Sequence, residues 1–156
     1  MRALAAQDGA SARELVRAVY ERTRHLARTL ELVELALPAD DPEYEGLVST
    51  AYDGSVLALL LHGSIGGAAG VIKVHALVGR STEALIMALR ALDSVRDARL
   101  LICELSNEPE QRLARRALAL AGFTCEGVVA DYFGDGIALD LLVLRPDPRA
   151  VSRGAL

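Results

Sequence analysis

The sequence predicts a single α/β (α+β) domain in which a mixed, mostly antiparallel sheet of about seven strands is flanked by helices. Three observations support this class. Apolar residues alternate between strand-like runs and helix-like spacing along most of the chain. Asp53-Gly54 and the segment DYFGDG each join two strand-like runs as a hairpin. The length of 156 residues is also the usual size of one domain.

The N-terminal half begins with a short apolar strand, RALA, and continues with apolar residues at helical spacing. This spacing, from Ser11 to about Leu32, predicts one long helix or two with a bend. The prolines and acids of LALPADDPEYE predict a loop. Three strands are then expected, at 46–52, 55–63 and 70–78.

The C-terminal half predicts a helix at 81–95, with Ser81 or Thr82 as N-cap, and a buried strand at 98–105. Asn107, Pro109 and Glu110 then open a helix that Gly122 ends. Its predicted apolar face is Leu113, Ala117, Leu120 and Ala121. Two strands, 123–130 and 137–144, complete a domain of residues 1–146, and 147–156 are expected to form a flexible tail.

Composition excludes several classes of function. Hydrophobic residues make up 52% of the chain, but no apolar run reaches the roughly 20 residues of a membrane span. The N-terminus lacks the apolar centre of a secretory signal, so we expect a cytoplasmic protein with no membrane partner. A net charge of −4 and 4% aromatic residues argue against nucleic acid as a partner.

Cysteine and histidine spacing predicts no disulfide framework and no metal site. Cys103 and Cys125 lie in apolar runs without CxxC spacing and are expected to be buried free thiols. His25 and His62 have no neighbouring ligand at metal-site spacing. The glycine-rich stretch GSIGGAAG lacks the Lys-Ser/Thr pair and the following helix of a phosphate-binding loop, so we interpret it as a hairpin loop.

Over nearly its whole length, the chain resembles a bacterial acyl-CoA N-acyltransferase of the GNAT superfamily. The most specific part is the C-terminal third, where these features fall at the spacing of one GNAT subgroup: Glu104, Ser106, Arg115, Gly122-Phe123 and Asp131-Tyr132-Phe133-x-x-Gly136. The resemblance implies the GNAT fold. It also implies that acetyl-CoA or another acyl-CoA is the co-substrate, bound where the fourth and fifth strands diverge.

The resemblance places the acyl-CoA diphosphate on a loop after the fourth strand, and this loop is about six residues shorter here than the family pattern. Only Gly79 remains of its glycines. The predicted cofactor-binding residues are Leu77, Val78, Gly79, Arg80, Ser81, Thr82 and Asn107. Two interpretations of the loop stay open: a short anion cradle that uses backbone amides, or an ordinary turn in which Ser81 caps a helix and Arg80 is solvated.

Three residues are candidates for acid or base chemistry, each with a structural alternative. His75 on the fourth strand is a candidate base or a structural histidine. Glu104 is a candidate base acting through water, or a residue that holds the Ser106-Asn107 turn. Tyr132 is a candidate acid, or a residue that packs in its turn. The acid expected from the resemblance, a tyrosine four residues before Gly122, is replaced by Leu118.

These observations predict an acyltransferase that moves an acetyl or other acyl group from CoA to an amine of a small molecule or peptide. The alternative is a catalytically degenerate GNAT-like protein that senses a ligand, binds a protein partner or forms a homodimer. The short loop and Leu118 favour this alternative. The acids of LALPADDPEYE favour a cationic amine as acceptor.

Overall fold

The computed structural model describes residues 1–37, 44–66, 68–93 and 98–146. Their centre is one seven-stranded sheet in the order β1-β2-β3-β4-β5-β7-β6. All neighbouring strands are antiparallel except β4 and β5, which are parallel. The strands are β1 (Arg2–Ala3), β2 (Glu45–Thr50), β3 (Val56–Ser64), β4 (Val71–Gly79), β5 (Leu100–Ser106), β6 (Thr124–Gly134) and β7 (Ile137–Leu144). The predicted mixed, mostly antiparallel sheet is therefore confirmed.

Four α-helices cover the two faces of this sheet: α1 (Gly9–Tyr20), α2 (His25–Ala36), α3 (Thr82–Asp93) and α4 (Arg112–Leu120). Side chains of β3 alternate between the faces, as the pleat requires. Leu59 and Leu61 join the core cluster under α1 and α2, whereas Leu60 joins the cluster under α3 and α4. The N-terminal helical pattern thus forms two helices, with the chain turning between Tyr20 and His25.

The predicted strands and helices all occur, and most of their ends lie within three residues of the prediction. Both α2 and β6 end four residues later than predicted. Most of the predicted acidic loop and all of the predicted tail lie outside the described residues. Within the described part of the chain, no helix combines the length and the apolar character needed to cross a bilayer.

The predicted apolar face of α4 is wrong for two of its four residues, while Ala117 is buried and Ala121 packs against the core as predicted. Leu113 and Leu120 are exposed, at 40% and 62%, while Leu118 is fully buried. The helix packs through Ala114, Ala117 and Leu118, which follow i, i+3, i+4 spacing. Leu113, Ala117 and Leu120 also follow helical spacing, so the pattern alone did not separate this face from the neighbouring face that contains Leu118.

The prediction of two buried thiols is also wrong for one of them. Cys103 on β5 is buried, whereas Cys125 is exposed. Cys125 lies on β6, which forms one edge of the sheet and is exposed along most of its length. An apolar run on an edge strand without a covering helix leaves its side chains in solvent.

Candidate functional site

A cleft opens in the middle of the sheet, where the parallel strands β4 and β5 diverge. They pair from Val71 to Val74 and from Leu100 to Cys103. Beyond these residues β4 stays paired with β3 and β5 stays paired with β7. One edge of each diverging strand therefore has backbone N–H and C=O groups without a strand partner.

A bulge in β4 lies where the two strands separate. Leu61 of β3 faces Ala76 and His62 faces Val74, so His75 is the extra residue. The bulge interrupts the regular alternation of β4 side chains between the two faces of the sheet. The His75 ring contacts Tyr44 in a T-shaped arrangement with centroids 4.6 Å apart, whereas Leu77 packs in the core under α3 and α4.

The cleft has a volume of about 330 Å³ and lies on the side of the sheet covered by α1 and α2. Its walls come from the ends of β4 and β5, the turn between α1 and α2, and the hairpin that joins β6 to β7. The side chains that carry its chemistry are Tyr20, Arg24, His25, Arg28, His75, Glu104, Ser106 and Phe133.

A hydrogen-bonded group of His25, Ser106 and Glu108 lies at the β5 end of the cleft. His25 Nε2 is 2.8 Å from Glu108 Oε2 and 3.2 Å from Ser106 Oγ, and the Ser106 hydroxyl donates to Glu108 Oε2 over 2.8 Å. Because a carboxylate only accepts hydrogen bonds, Nε2 is the donor and Nδ1 is the nitrogen able to accept a proton. One ring nitrogen contacts both partners, so this is not a serine–histidine–carboxylate nucleophile relay.

Neighbouring charges hold this group in position. Arg24 Nε donates to Glu108 Oε1 at 3.1 Å, and the same guanidinium donates to the Phe133 carbonyl and lies 5.8 Å from the Phe133 ring centre. Desolvation raises the pKa of Glu108, but the hydrogen bonds from Ser106 and His25 and the charge of Arg24 lower it overall. Glu108 is thus an anion that orients the His25 ring.

Two other groups in the cleft are unsuited to proton transfer near neutral pH. Burial raises the pKa of Tyr20 to about 12, although its hydroxyl bonds Gln111 Oε1 at 3.3 Å. Burial also raises the pKa of the Cys103 thiol to about 12. Both side chains are therefore neutral at pH 7, and the thiol is not a nucleophile.

The three predicted acid or base residues have different surroundings. His75 lines the cleft, and its pKa is lowered first by burial and then by Lys73 and Arg28, while Glu104 opposes this effect. Glu104 also lines the cleft, but its carboxylate is paired with Lys73 at 2.8 Å. Tyr132 is 60% exposed and contacts the neighbouring Phe133 ring, which lines the cleft while Tyr132 does not.

The predicted diphosphate loop is a two-residue turn between β4 and α3. Ser81 Oγ accepts the Ala84 amide at 3.2 Å, and the Arg80 amide donates to the Leu57 carbonyl at 3.2 Å. The Glu83 carboxylate has a lowered pKa because it accepts hydrogen bonds from its own amide and from Ser81. The start of α3 therefore already has a cap and an anion of its own.

The remaining predicted cofactor residues are mostly engaged in packing. Gly79 is buried, and a Cβ there would lie 2.6 Å from Leu85 Cδ2, so glycine permits close packing of β4 against α3. Val78 and Thr82 are buried, and Leu77 is buried at the cleft wall. Asn107 contacts the end hairpin through both side-chain atoms, donating to the Gly136 carbonyl and accepting the Ala138 amide, each at 3.2 Å.

Sequence reasoning missed Arg24, His25 and Arg28 as cleft residues, and Glu108 as the partner of His25. Glu108 and His25 are 83 residues apart and belong to a turn and a helix start that the fold brings together. The available signal was the break between α1 and α2, which places polar side chains beside the end of β5.

Comparisons with known proteins show the fold. No protein-family model and no curated protein matches this chain. Solved structures do match: a GNAT-family protein from Desulfovibrio desulfuricans has 20% identity and a TM-score of 0.77, covering 92% of this chain and 96% of that chain. A ribosomal-protein-alanine N-acetyltransferase from Brucella melitensis has 15% identity and a TM-score of 0.70, covering 93% and 98%. An aminoglycoside 6'-N-acetyltransferase complexed with coenzyme A has 13% identity and a TM-score of 0.64, covering 89% and 93%. The chain therefore has the GNAT fold, as the sequence predicted.

Proposed function

We propose that this protein transfers an acyl group from acyl-CoA to an amine. The observation that carries the proposal is the cleft between the diverging ends of β4 and β5, which opens at the centre of a sheet with the GNAT fold. The free edge of β4 offers N–H and C=O groups to an extended chain that contains amides. The pantetheine arm of CoA is such a chain, and one structural neighbour was solved with coenzyme A.

The His25 group supports the acceptor half of the reaction. The amine must lose a proton as its nitrogen bonds to the thioester carbon and the carbon–sulfur bond breaks. His25 Nδ1 accepts this proton, while Glu108 holds the ring through its bond to Nε2. The thiolate of CoA leaves with the bonding electrons and takes a proton from solvent. His75 and Glu104 remain second candidates for the base, and Tyr132 for the acid.

The acyl acceptor is a small-molecule or peptide amine. Two of the matching structures carry names that indicate an aminoglycoside and a ribosomal-protein alanine as acceptors. The described part of this cleft carries Arg24 and Arg28, which do not favour a polycationic aminoglycoside.

A second function has a specific observation in its favour. The start of α3 is capped by Ser81 and occupied by the Glu83 carboxylate, which opposes a diphosphate at that place. A degenerate GNAT-like protein that binds another ligand or a partner chain, including a second copy of itself, would need no diphosphate site.

Thermal unfolding with acetyl-CoA separates these functions. Ligand at 100 times its dissociation constant adds about 2.7 kcal/mol, which raises Tm by about 5 to 10 °C in a domain of this size. Ser81→Glu adds a second carboxylate at the start of α3 and should leave most of the shift, because amide contacts along β4 carry most of the binding; loss of the shift would place the diphosphate at this turn. Ala10→Glu, exposed on α1 across the sheet, is the matched control. A Tm that does not change at millimolar acetyl-CoA would reject the proposed acyltransferase function.

The base is tested separately. His25→Ala should lower kcat at pH 7 by about 10²- to 10⁴-fold and leave the acetyl-CoA affinity unchanged. His75→Ala is the parallel variant on the other wall. A large loss in His75→Ala with normal turnover in His25→Ala would assign the base to β4 instead.

A further inference from the structure

Among the described residues that line the cleft, Arg28 is an arginine with no acidic partner in the lining itself. Glu104 is the only acid among these lining residues, and Glu108 does not line the cleft but accepts hydrogen bonds from the lining residues His25 and Ser106. Glu104 pairs with Lys73 at 2.8 Å, and Glu108 pairs with Arg24 at 3.1 Å. Within the described ranges, the acid that pairs with Arg28 is Glu31, which lies one turn along α2 and outside the cleft lining.

The bond between Arg28 and Glu31 leaves the guanidinium able to bind a ligand. It uses Nη1 at 2.6 Å, and both side chains are more than half exposed. Exposed pairs of this kind contribute little to stability and are easily rearranged. A guanidinium has five N–H donors in a planar fork that matches a carboxylate.

The surroundings of Arg28 are polar and favour a negative group. The pKa of Arg28 is raised, first by Glu31 and further by Tyr44, so Tyr44 lies close to the guanidinium. The ring of Tyr44 also contacts His75, 4.6 Å away between centroids. Lys73 and Arg28 both lower the pKa of His75, and Glu104 alone among the contributing groups raises it. The cations Arg28 of α2 and Lys73 of β4 are thus both close enough to His75 to lower its pKa.

The β5 end of the cleft has groups that favour a different part of the ligand. His25 and Glu108 lie at the β5 end, where a proton acceptor and a carboxylate favour an amine. We infer that the acceptor carries a carboxylate as well as its amine, so that Arg28 binds the carboxylate while the amine lies beside His25. This inference rests on the proposed transfer to an amine and adds the class of acceptor, a free amino acid being the simplest member.

Matched acceptors test the inference through turnover. Glycine, L-leucine and L-phenylalanine are each compared with the corresponding amino-acid amide, which keeps the amine and removes the negative charge. We expect kcat/KM to be about 10- to 150-fold higher for each acid, the range of a charged hydrogen bond. Equal or faster turnover of the amides would overturn the inference and leave the acyltransferase standing.

Variants assign the preference to Arg28. Arg28→Ala should abolish the difference between acid and amide mainly through KM, and Arg28→Lys should restore part of it. Arg22→Ala, exposed in the turn before α2 and absent from the cleft lining, is the control and should keep the preference. If Arg28→Ala slows acids and amides equally, Arg28 does not recognise a carboxylate.

A binding measurement without acyl-CoA keeps the two proposals separate. L-leucine at tens of millimolar should raise the Tm of the wild-type protein but not that of Arg28→Ala, and L-leucinamide should raise neither. If acetyl-CoA neither binds nor reacts while L-leucine binding depends on Arg28, the acyltransferase fails and the carboxylate site stands. If L-leucine and L-leucinamide shift the wild-type Tm equally, the carboxylate site fails.

Discussion

Replacing leucines two residues apart on α4 tests which face of this helix is buried. Leu118 is fully buried against Ala117, Phe123 and the sheet, while Leu120 is 62% exposed. Leu118→Ala removes buried methyl groups and leaves a cavity, which costs about 2 to 5 kcal/mol. Leu120→Ala exchanges one good helix former for another at an exposed position, so its effect should stay within about 0.5 kcal/mol.

Urea unfolding followed by far-UV circular dichroism measures both changes. For a domain of this size the loss in Leu118→Ala corresponds to a fall in Tm of about 4 to 20 °C. The slope of the unfolding free energy against urea should be unchanged in both variants, because the exposed surface barely differs. If Leu120→Ala costs as much as Leu118→Ala, the helix packs through the face predicted from the sequence and the described packing is wrong.

Three further substitutions test packing and protonation. Gly79→Ala forces a Cβ to 2.6 Å from Leu85 Cδ2, so we expect a loss of about 1 to 3 kcal/mol in urea unfolding. Tyr20→Phe leaves the buried Gln111 oxygen without its donor, which should cost about 1 to 3 kcal/mol in the same assay. Burial, followed by the charge of His75, lowers the pKa of His62 from 6.5 to about 4. Between these values the unfolded chain binds the proton and the folded one does not, so stability falls as pH drops, by at most about 1.4 kcal/mol per pH unit. His62→Leu should flatten this slope between pH 6.5 and 4, and an unchanged slope would exclude His62 as its source.

The order of strands and helices could be predicted because local patterns determine it. The hairpin expected at Asp53-Gly54 occurs, although its loop has three residues, 52–54, closed by the hydrogen bond from the Ala51 amide to the Ser55 carbonyl, and positive φ is found at Gly54 (83°) but not at Asp53. Ser81 accepts a first-turn amide of α3, as its position before an apolar periodic segment predicted. Patterns of this kind depend on neighbours within a few residues, and the sequence shows those neighbours directly.

The face of α4 and the exposure of Cys125 could not be predicted, because they depend on which elements cover them. Leu113, Leu120 and Cys125 have the apolar character of core residues, yet nothing among the described residues buries them. The hydrophobicity of a side chain determines how much free energy its burial contributes. The topology determines whether another helix or strand lies against it. The edge position of β6 is a property of the whole sheet order.

The site was predicted only in part for the same reason. Glu104 and His75 were found because they lie on strands whose divergence the resemblance implied, and both line the cleft. The interaction of His25 with Glu108 joins residues 83 positions apart and has no local pattern. Similarly, the sequence does not show that Glu104 pairs with Lys73 and Glu108 with Arg24. Only these pairs show that Arg28 has no acidic partner among the described lining residues.

The two ends of the cleft differ in how far they are prepared for the proposed reaction. The acceptor end has an oriented imidazole, and its ring is fixed by Glu108 and by Tyr20 and Phe133 at 5.6 and 6.3 Å between centroids. The donor end has a free strand edge but a capped helix start with the Glu83 carboxylate beside it. Binding of acyl-CoA should therefore depend more on amide contacts along β4 than on its diphosphate. If so, pantetheine should compete with acetyl-CoA at concentrations close to those at which CoA competes, and a much weaker competition by pantetheine would show that the short turn does bind the diphosphate.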